Sequence, residues 1–174
     1  MTPIKRVNYF NGQLLSTADF QAEQEYHRAK QRLHNRVLHG AGVVEGLKVS
    51  VGKGGGAGSV VVTPGSALDP AGELISLCEA GSLLLKSTAA AVLVFLRYTE
   101  CPADAVPAGS NNPDATSQPS RVEEGSELVL VEEASPTPTK ARRVAADPTG
   151  VALARLVRTR TGWRVDRKFK VARV

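Results

Sequence analysis

Cysteine, aromatic residues and long apolar runs are scarce in this chain. Of its 174 residues only two are cysteine and 5% are aromatic, and Cys78 and Cys101 lack the paired spacing of a zinc site or a disulfide scaffold. The longest apolar run, residues 89–96, is less than half the length of about 20 residues that a membrane-spanning helix needs. The first residues, MTPIKRVNYF, lack the apolar core of a secretory signal. We therefore expect no membrane insertion, and synthesis and assembly in the cytoplasm.

Signatures of catalysis are missing as well. The sequence contains no Gly-x-Ser-x-Gly motif, and its glycine-rich stretch at residues 52–59 is not a phosphate-binding loop, because no Gly-Lys-Ser or Gly-Lys-Thr follows at the required spacing. Glu23, His27 and His34 have spacings that suit metal ligands, yet no downstream cluster of His, Cys or Asp completes a coordination shell. We expect no catalytic, cofactor-binding or metal-binding residues, and so no enzyme. A metal-dependent enzyme built on these three residues is the alternative, which stoichiometric zinc would support.

One long helix is predicted near the start of the chain. Ser16 suits the N-cap position, and no proline or glycine interrupts residues 17–38. Gly40 follows as the residue best able to end a helix in a left-handed conformation. Before the helix, Asn11-Gly12 predicts a tight turn that carries Tyr9 and Phe10, two aromatic residues that either fill a local core or form a protein interface.

A narrow apolar stripe runs along this helix. Ala22, Tyr26, Ala29, Leu33 and Val37 recur at steps of four, three, four and four, which places them on one face. Such a thin stripe with two alanines is typical of close packing against another helix, with a second copy of the chain as one candidate. Packing across its own β-domain is the other interpretation. If the stripe is an interface, Leu33→Asp disrupts association.

Everything after the helix reads as short strands and turns. Residues 64–65 and 67–72 read as two turns, 134–140 as a loop, 144–146 as a strand and 163–174 as the last strand, and we expect Cys78 and Cys101 in loops or the core. Apolar and polar residues alternate from Leu47 to Val51, and residues 91–98 are apolar enough for a central strand. Four prolines lie in residues 100–122, where we predict a long mobile loop. The expected fold class is α+β, with one long N-terminal helix followed by a mainly antiparallel β-sandwich or barrel-like domain. We divide the chain into residues 1–40, the aromatic turn and helix, and residues 41–174, the β-domain.

Charge is unevenly distributed along the chain. The net charge is +5, yet residues 140–174 contain eleven Lys or Arg against two Asp and so carry +9. A basic C-terminal hairpin predicts an acidic partner or, as the main alternative function, nucleic-acid binding with Trp163 or Phe169 stacking on a base. Alternation along the strand places both aromatic rings where burial is more natural, so we expect no nucleic acid. The basic residues concerned are Arg155, Arg158, Arg160, Arg164, Arg167, Lys168, Lys170 and Arg173.

Residues 6–77 resemble a family of small structural proteins of phage tails and phage-tail-like extracellular contractile injection systems. The resemblance rests on an aromatic-Gly turn, a helix with DF and EQ-x-YH, an HNR-x-LHG ending and a GVV-x-GL strand, within NYFNGQLLSTADFQAEQEYHRAKQRLHNRVLHGAGVVEGLKV and then VTPGSALDPAGELI. It implies no catalytic residues. It implies a structural role in the particle, at the baseplate, spike periphery or fibre-attachment region, with other subunits as partners. It also implies that the matching positions fix the helix-to-strand junction and present it to neighbours: Tyr9, Phe10, Asn35, Arg36, His39, Gly40 and Gly46.

The stripe and the junction together give a set of candidate interface residues. A homo-oligomer through the N-terminal helix is one arrangement that uses them, and contact with a different subunit is another. The candidates are Tyr9, Phe10, Ala22, Tyr26, Ala29, Leu33, Arg36, Val37 and His39.

Overall fold

The chain begins with the predicted helix, which ends differently from the prediction. The computed structural model describes residues 4–52, 58–107, 117–133 and 150–174. Helix α1 spans Thr17–His34, and at its start the Ser16 amide donates a hydrogen bond to Asp19 Oδ2 at 2.8 Å. The α-helix was expected to reach residue 38, but a π-helical turn over Asn35–His39 replaces its last turn. Gly40 then ends the helix at φ +79°, and its amide bonds to the Asn35 carbonyl at 3.0 Å.

Within the described residues, ten β-strands follow the helix. Every strand pairing in the sheets is antiparallel, and an isolated parallel bridge joins Val43 to Arg173. The strands are β1 (Gly42–Gly46), β2 (Val49–Gly52), β3 (Gly58–Val62), β4 (Gly65–Leu68), β5 (Leu74–Leu77), β6 (Gly81–Leu85), β7 (Ala91–Val106), β8 (Gln118–Glu132), β9 (Gly150–Thr159) and β10 (Gly162–Val165).

These strands form three sheets, with the orders β1-β4-β5, β2-β3-β6 and β10-β9-β7-β8. The sheets build a half-barrel, so the predicted α+β class with one helix before a mainly antiparallel β-domain is confirmed. Strand β7 lies between β9 and β8, which confirms that the apolar run is a central strand. Its Val92, Val94 and Leu96 are fully buried, and they pack with Ile75 and Leu156 in the core that holds the sheets together.

The predicted loop at residues 100–122 is wrong over most of its length. Strand β7 continues to Val106 and β8 begins at Gln118, with Glu100 opposite Glu124. Strand β9 pairs with β7 only as far as Arg97, so among the described residues the rest is a two-stranded ribbon. Both strands of such a ribbon are edge strands, where the prolines at positions 102 and 119 are tolerated. Residues 108–116, the centre of the predicted loop, lie outside the described residues.

Other differences lie in the turns. Residues 64–72 were expected to form two turns, but strand β4 lies between them, paired with β1 and β5. The last predicted strand stops at Val165, because a turn begins at Asp166, whose carboxylate accepts a bond from the Lys168 amide at 3.0 Å. Cys101, expected in a loop or the core, lies exposed in β7. The loop predicted at 134–140 and the strand predicted at 144–146 lie outside the described residues.

Candidate functional site

Helix α1 is joined to the β-domain by a polar face. Arg28 and Arg32 pair with Glu100 and Glu73 respectively, and the buried Asn35 donates a hydrogen bond from Nδ2 to the Gly72 carbonyl at 2.8 Å. The three helix-side residues recur at steps of four and three, which aligns them on one face. This face therefore fixes the position of the helix.

The turn that receives the helix is tightly built. Asp69 is buried, its Oδ1 accepts a bond from the Glu73 amide at 2.8 Å, and its carbonyl accepts one from the Gly72 amide at 3.0 Å. Gly72 has φ +95°, and a Cβ there would lie 2.3 Å from the backbone oxygen of Arg32. Only glycine lets the turn and the helix backbone approach so closely. The sequences HNRVLHG and DPAGE thus meet in space.

The ionisable groups of this junction favour charged Arg32 and Glu100 and a neutral Tyr98. The hydrogen bond that Arg32 donates to Glu73 raises the pKa of Arg32. The Tyr98 hydroxyl, which donates to Glu100 at 3.0 Å, lowers the pKa of that carboxyl, and Arg28 lowers it further. Burial and the neighbouring Glu100 raise the pKa of Tyr98. The sequence analysis does not identify these two pairs, because the partners of the arginines lie 41 residues or more away in the chain.

The apolar stripe lies on a different side of the helix. At 3.6 residues per turn, its mean direction is about 130° away from the polar face. No residue of α1 is buried. Tyr26, Ala29 and Leu33 are half-buried, while Ala22 and Val37 are exposed. The helix meets the β-domain through its polar face. The structure therefore does not show the stripe packed across that domain, which was one of its two interpretations.

Large apolar side chains are exposed throughout the segment around the helix. The Asn11-Gly12 turn is present, with the Gln13 amide bonded to the Phe10 carbonyl at 3.2 Å, but its aromatic residues do not fill a local core. Phe10 is 66% exposed and Leu14 is 92% exposed. The large apolar residues that are exposed in this segment are Ile4, Tyr9, Phe10, Leu14, Leu15, Phe20, Val37 and Leu38.

A shallow groove of about 670 Å³ lies along the second half of the helix. Its apolar lining comes from Leu33, Val37 and Leu38, and its basic rim includes Lys30 and His34. The candidate residues Arg36 and His39 are exposed near it, and the His34 and His39 rings are 5.4 Å apart. Leu33, Arg36, Val37 and His39 thus lie at one end of the helix, whereas Tyr9 and Phe10 precede its other end.

The histidines do not assemble a metal centre in the part of the chain that the structure describes. His27 Nε2 lies 3.1 Å from Glu23 Oε1, as an exposed pair of helix neighbours. No group of three or more His, Cys, Asp or Glu side chains suited to a metal occurs among these residues. Glu23, His27 and His34 therefore offer two adjacent side chains at most, which is fewer than a protein metal site uses.

The basic hairpin is used in the fold of the chain itself. Arg155 donates hydrogen bonds to Glu133 and Asp166 at 2.7 and 2.8 Å, which raises its pKa. Trp163 packs against the hydrophobic core and Phe169 is half-buried. Neither ring is presented as a free platform for a nucleic-acid base. Strand alternation accounts for Trp163 only, because Phe169 lies beyond the end of β10.

Comparison with known proteins gives a shared fold. The sequence matches no protein-family model, and it has no match among curated proteins. No helix in the described ranges is long and apolar enough to cross a membrane. Among solved structures, a chain of the TssK–TssF–TssG baseplate subcomplex of the type VI secretion system is 16% identical, with a TM-score of 0.54 over 98% of this chain and 62% of its own.

Two further structures show the same likeness. A chain of the baseplate complex from the type VI secretion system is 17% identical, with a TM-score of 0.52 over 99% of this chain and 42% of its own. The crystal structure of TssK gives 14% identity and a TM-score of 0.51 over 94% of this chain and 43% of its own. This chain therefore spans less than two thirds of the length of these proteins, and it has the fold of chains found in contractile injection baseplates.

Proposed function

We propose that this protein is a structural subunit of a phage-tail-like contractile injection particle, in the baseplate, spike periphery or fibre-attachment region. In this proposal it is made and assembled in the cytoplasm, it is not an enzyme, and its partners are other subunits of the particle. The observation that carries the proposal is the exposure of so many large apolar side chains around α1. The fold shared with type VI secretion baseplate chains supports the kind of particle.

The polar junction gives these apolar residues a defined position. Asn35 and the two arginine pairs hold α1 against the β-domain, so Phe20, Val37 and Leu38 belong to a helix and a π-helical turn that are oriented before any partner binds. A preorganised surface loses less conformational entropy on association than a flexible one. Leu38 and Phe10, each 66% exposed, are then the kind of apolar contact that the core of an interface buries.

The test compares two leucines of equal exposure. Leu38 is 66% exposed beside the groove, and Leu84 is 65% exposed on β6, far from α1 in the chain. We expect Leu38→Ser to lower incorporation into purified particles at least tenfold, while Leu84→Ser is incorporated like the unmodified chain. Urea unfolding of both variants checks that the fold is retained. Absence of the unmodified protein from purified particles would refute the proposed function, and equal incorporation of both variants would refute the role of Leu38 as a contact in it.

A further inference from the structure

We propose that α1 pairs with α1 of a second copy of this chain, in antiparallel orientation and through the apolar stripe. The inference rests on the proposed function, because it names one partner of the same N-terminal surface. The apolar stripe is available for contact with a second helix. The polar face is occupied by the β-domain, whereas the stripe has no buried residue and faces another direction.

Charge along the helix selects the antiparallel orientation. The first half of the helix carries Asp19, Glu23 and Glu25 and no Lys or Arg. The second half and the π-helical turn contain Lys, Arg and His but no Asp or Glu. Among the latter, Lys30 and Arg36 are exposed and remain for a partner. Two antiparallel copies bring each acidic half against a basic half, while parallel copies bring like charges together.

The positions of the stripe residues agree with this orientation. With a two-fold axis beside Ala29, Ala22 lies opposite Val37 of the second copy, and Tyr26 lies opposite Leu33. Each contact then pairs a smaller side chain with a larger one, which lets the two helices approach closely. The groove beside Leu33 provides room for the ring of Tyr26 of the second copy.

The flanks of the stripe match in the same register. On one flank Glu25, which also lies 3.6 Å from its own Arg32, comes near Arg36 of the second copy. On the other flank Glu23, which also lies 3.1 Å from its own His27, comes near His34 of the second copy, each within about one helical turn of the facing position. The contact is short, because a helix of 18 residues is about 27 Å long. A small interface of this kind is weak in dilute solution, so the experiment captures the pair covalently.

Disulfide capture distinguishes the two orientations. The exposed Cys78 and Cys101 are first replaced by Ser, to remove background cross-links. Ala22→Cys and Val37→Cys are then made separately in this background and oxidised alone or mixed in equal amounts. We expect the mixture to give at least tenfold more cross-linked dimer than either variant alone, with the disulfide between positions 22 and 37 of the two copies confirmed by mass spectrometry.

Other outcomes overturn the pairing. Efficient cross-linking of each variant with itself would show a parallel pair, and no cross-linking above the background protein would show that the stripe does not pair. Adding Leu33→Asp to both variants should abolish the mixed cross-link, whereas Leu84→Asp should leave it unchanged. If the chain is incorporated into particles but does not cross-link, the pairing fails while the proposed structural role stands.

Discussion

Replacement of Gly72 by alanine tests the junction between the helix and the β-domain. Gly72 has φ +95°, and an alanine in a left-handed conformation costs about 1–2 kcal/mol. The new Cβ would also lie 2.3 Å from the Arg32 carbonyl oxygen, so the turn and the helix must separate. Separation breaks the bond from Asn35 to the Gly72 carbonyl, and an unsatisfied buried polar group costs about 1–3 kcal/mol. We expect Gly72→Ala to lower the free energy of unfolding by roughly 2–5 kcal/mol.

Gly12 supplies the matched control for this prediction. It has φ +87°, but a Cβ placed on it meets nothing within 4 Å, so Gly12→Ala introduces only the conformational strain. Urea unfolding is followed by the fluorescence of Trp163, the single tryptophan, and by the circular dichroism of the helix. The reasoning is refuted if Gly72→Ala is no more destabilising than Gly12→Ala, because the close approach to Arg32 would then contribute nothing.

Two further predictions concern the buried Asn35 and the half-buried Asp166. Asn35→Ala removes the donor to the Gly72 carbonyl and should lower the free energy of unfolding by about 1–3 kcal/mol, whereas the exposed Gln24→Ala should change it by less than about 0.5 kcal/mol; equal effects would contradict the junction. The amide of Lys168 and then Arg155 lower the pKa of Asp166, so its stabilisation is complete above its unfolded pKa of about 4 and is lost as pH falls through the folded pKa. Asp166→Asn should therefore reduce the acid sensitivity of urea unfolding, and an unchanged pH profile would refute this role.

Local signals in the sequence predicted the helix start, its glycine end and the Asn11-Gly12 turn. Each of these features depends on residues a few positions apart, such as Ser16 and Asp19. Residues that are close in the sequence therefore determine the local structure. The central strand was predictable for a similar reason, since its run of apolar residues can be satisfied only by burial on both faces.

The parts that could not be predicted depend on distant residues. Arg32 meets Glu73 and Arg28 meets Glu100, and nothing near either arginine in the sequence indicates these pairs. The proline-rich residues beyond Thr99 read as a loop in the sequence. Among the described residues they form a two-stranded ribbon, whose edge positions tolerate prolines that an inner strand excludes. The apolar stripe was predictable from the sequence, but only the structure shows that another face of helix α1 contacts the β-domain.

The ribbon formed by the outer parts of β7 and β8 presents strand edges among the described residues. An exposed strand edge at high local concentration is a template for runaway addition of further chains, which would produce fibrils in place of a closed assembly. Pro102 and Pro119 lack the amide hydrogen that such addition needs, and the exposed Glu123 and Glu124 repel identical edges. The prolines that made this region look unstructured thus protect it against polymerisation.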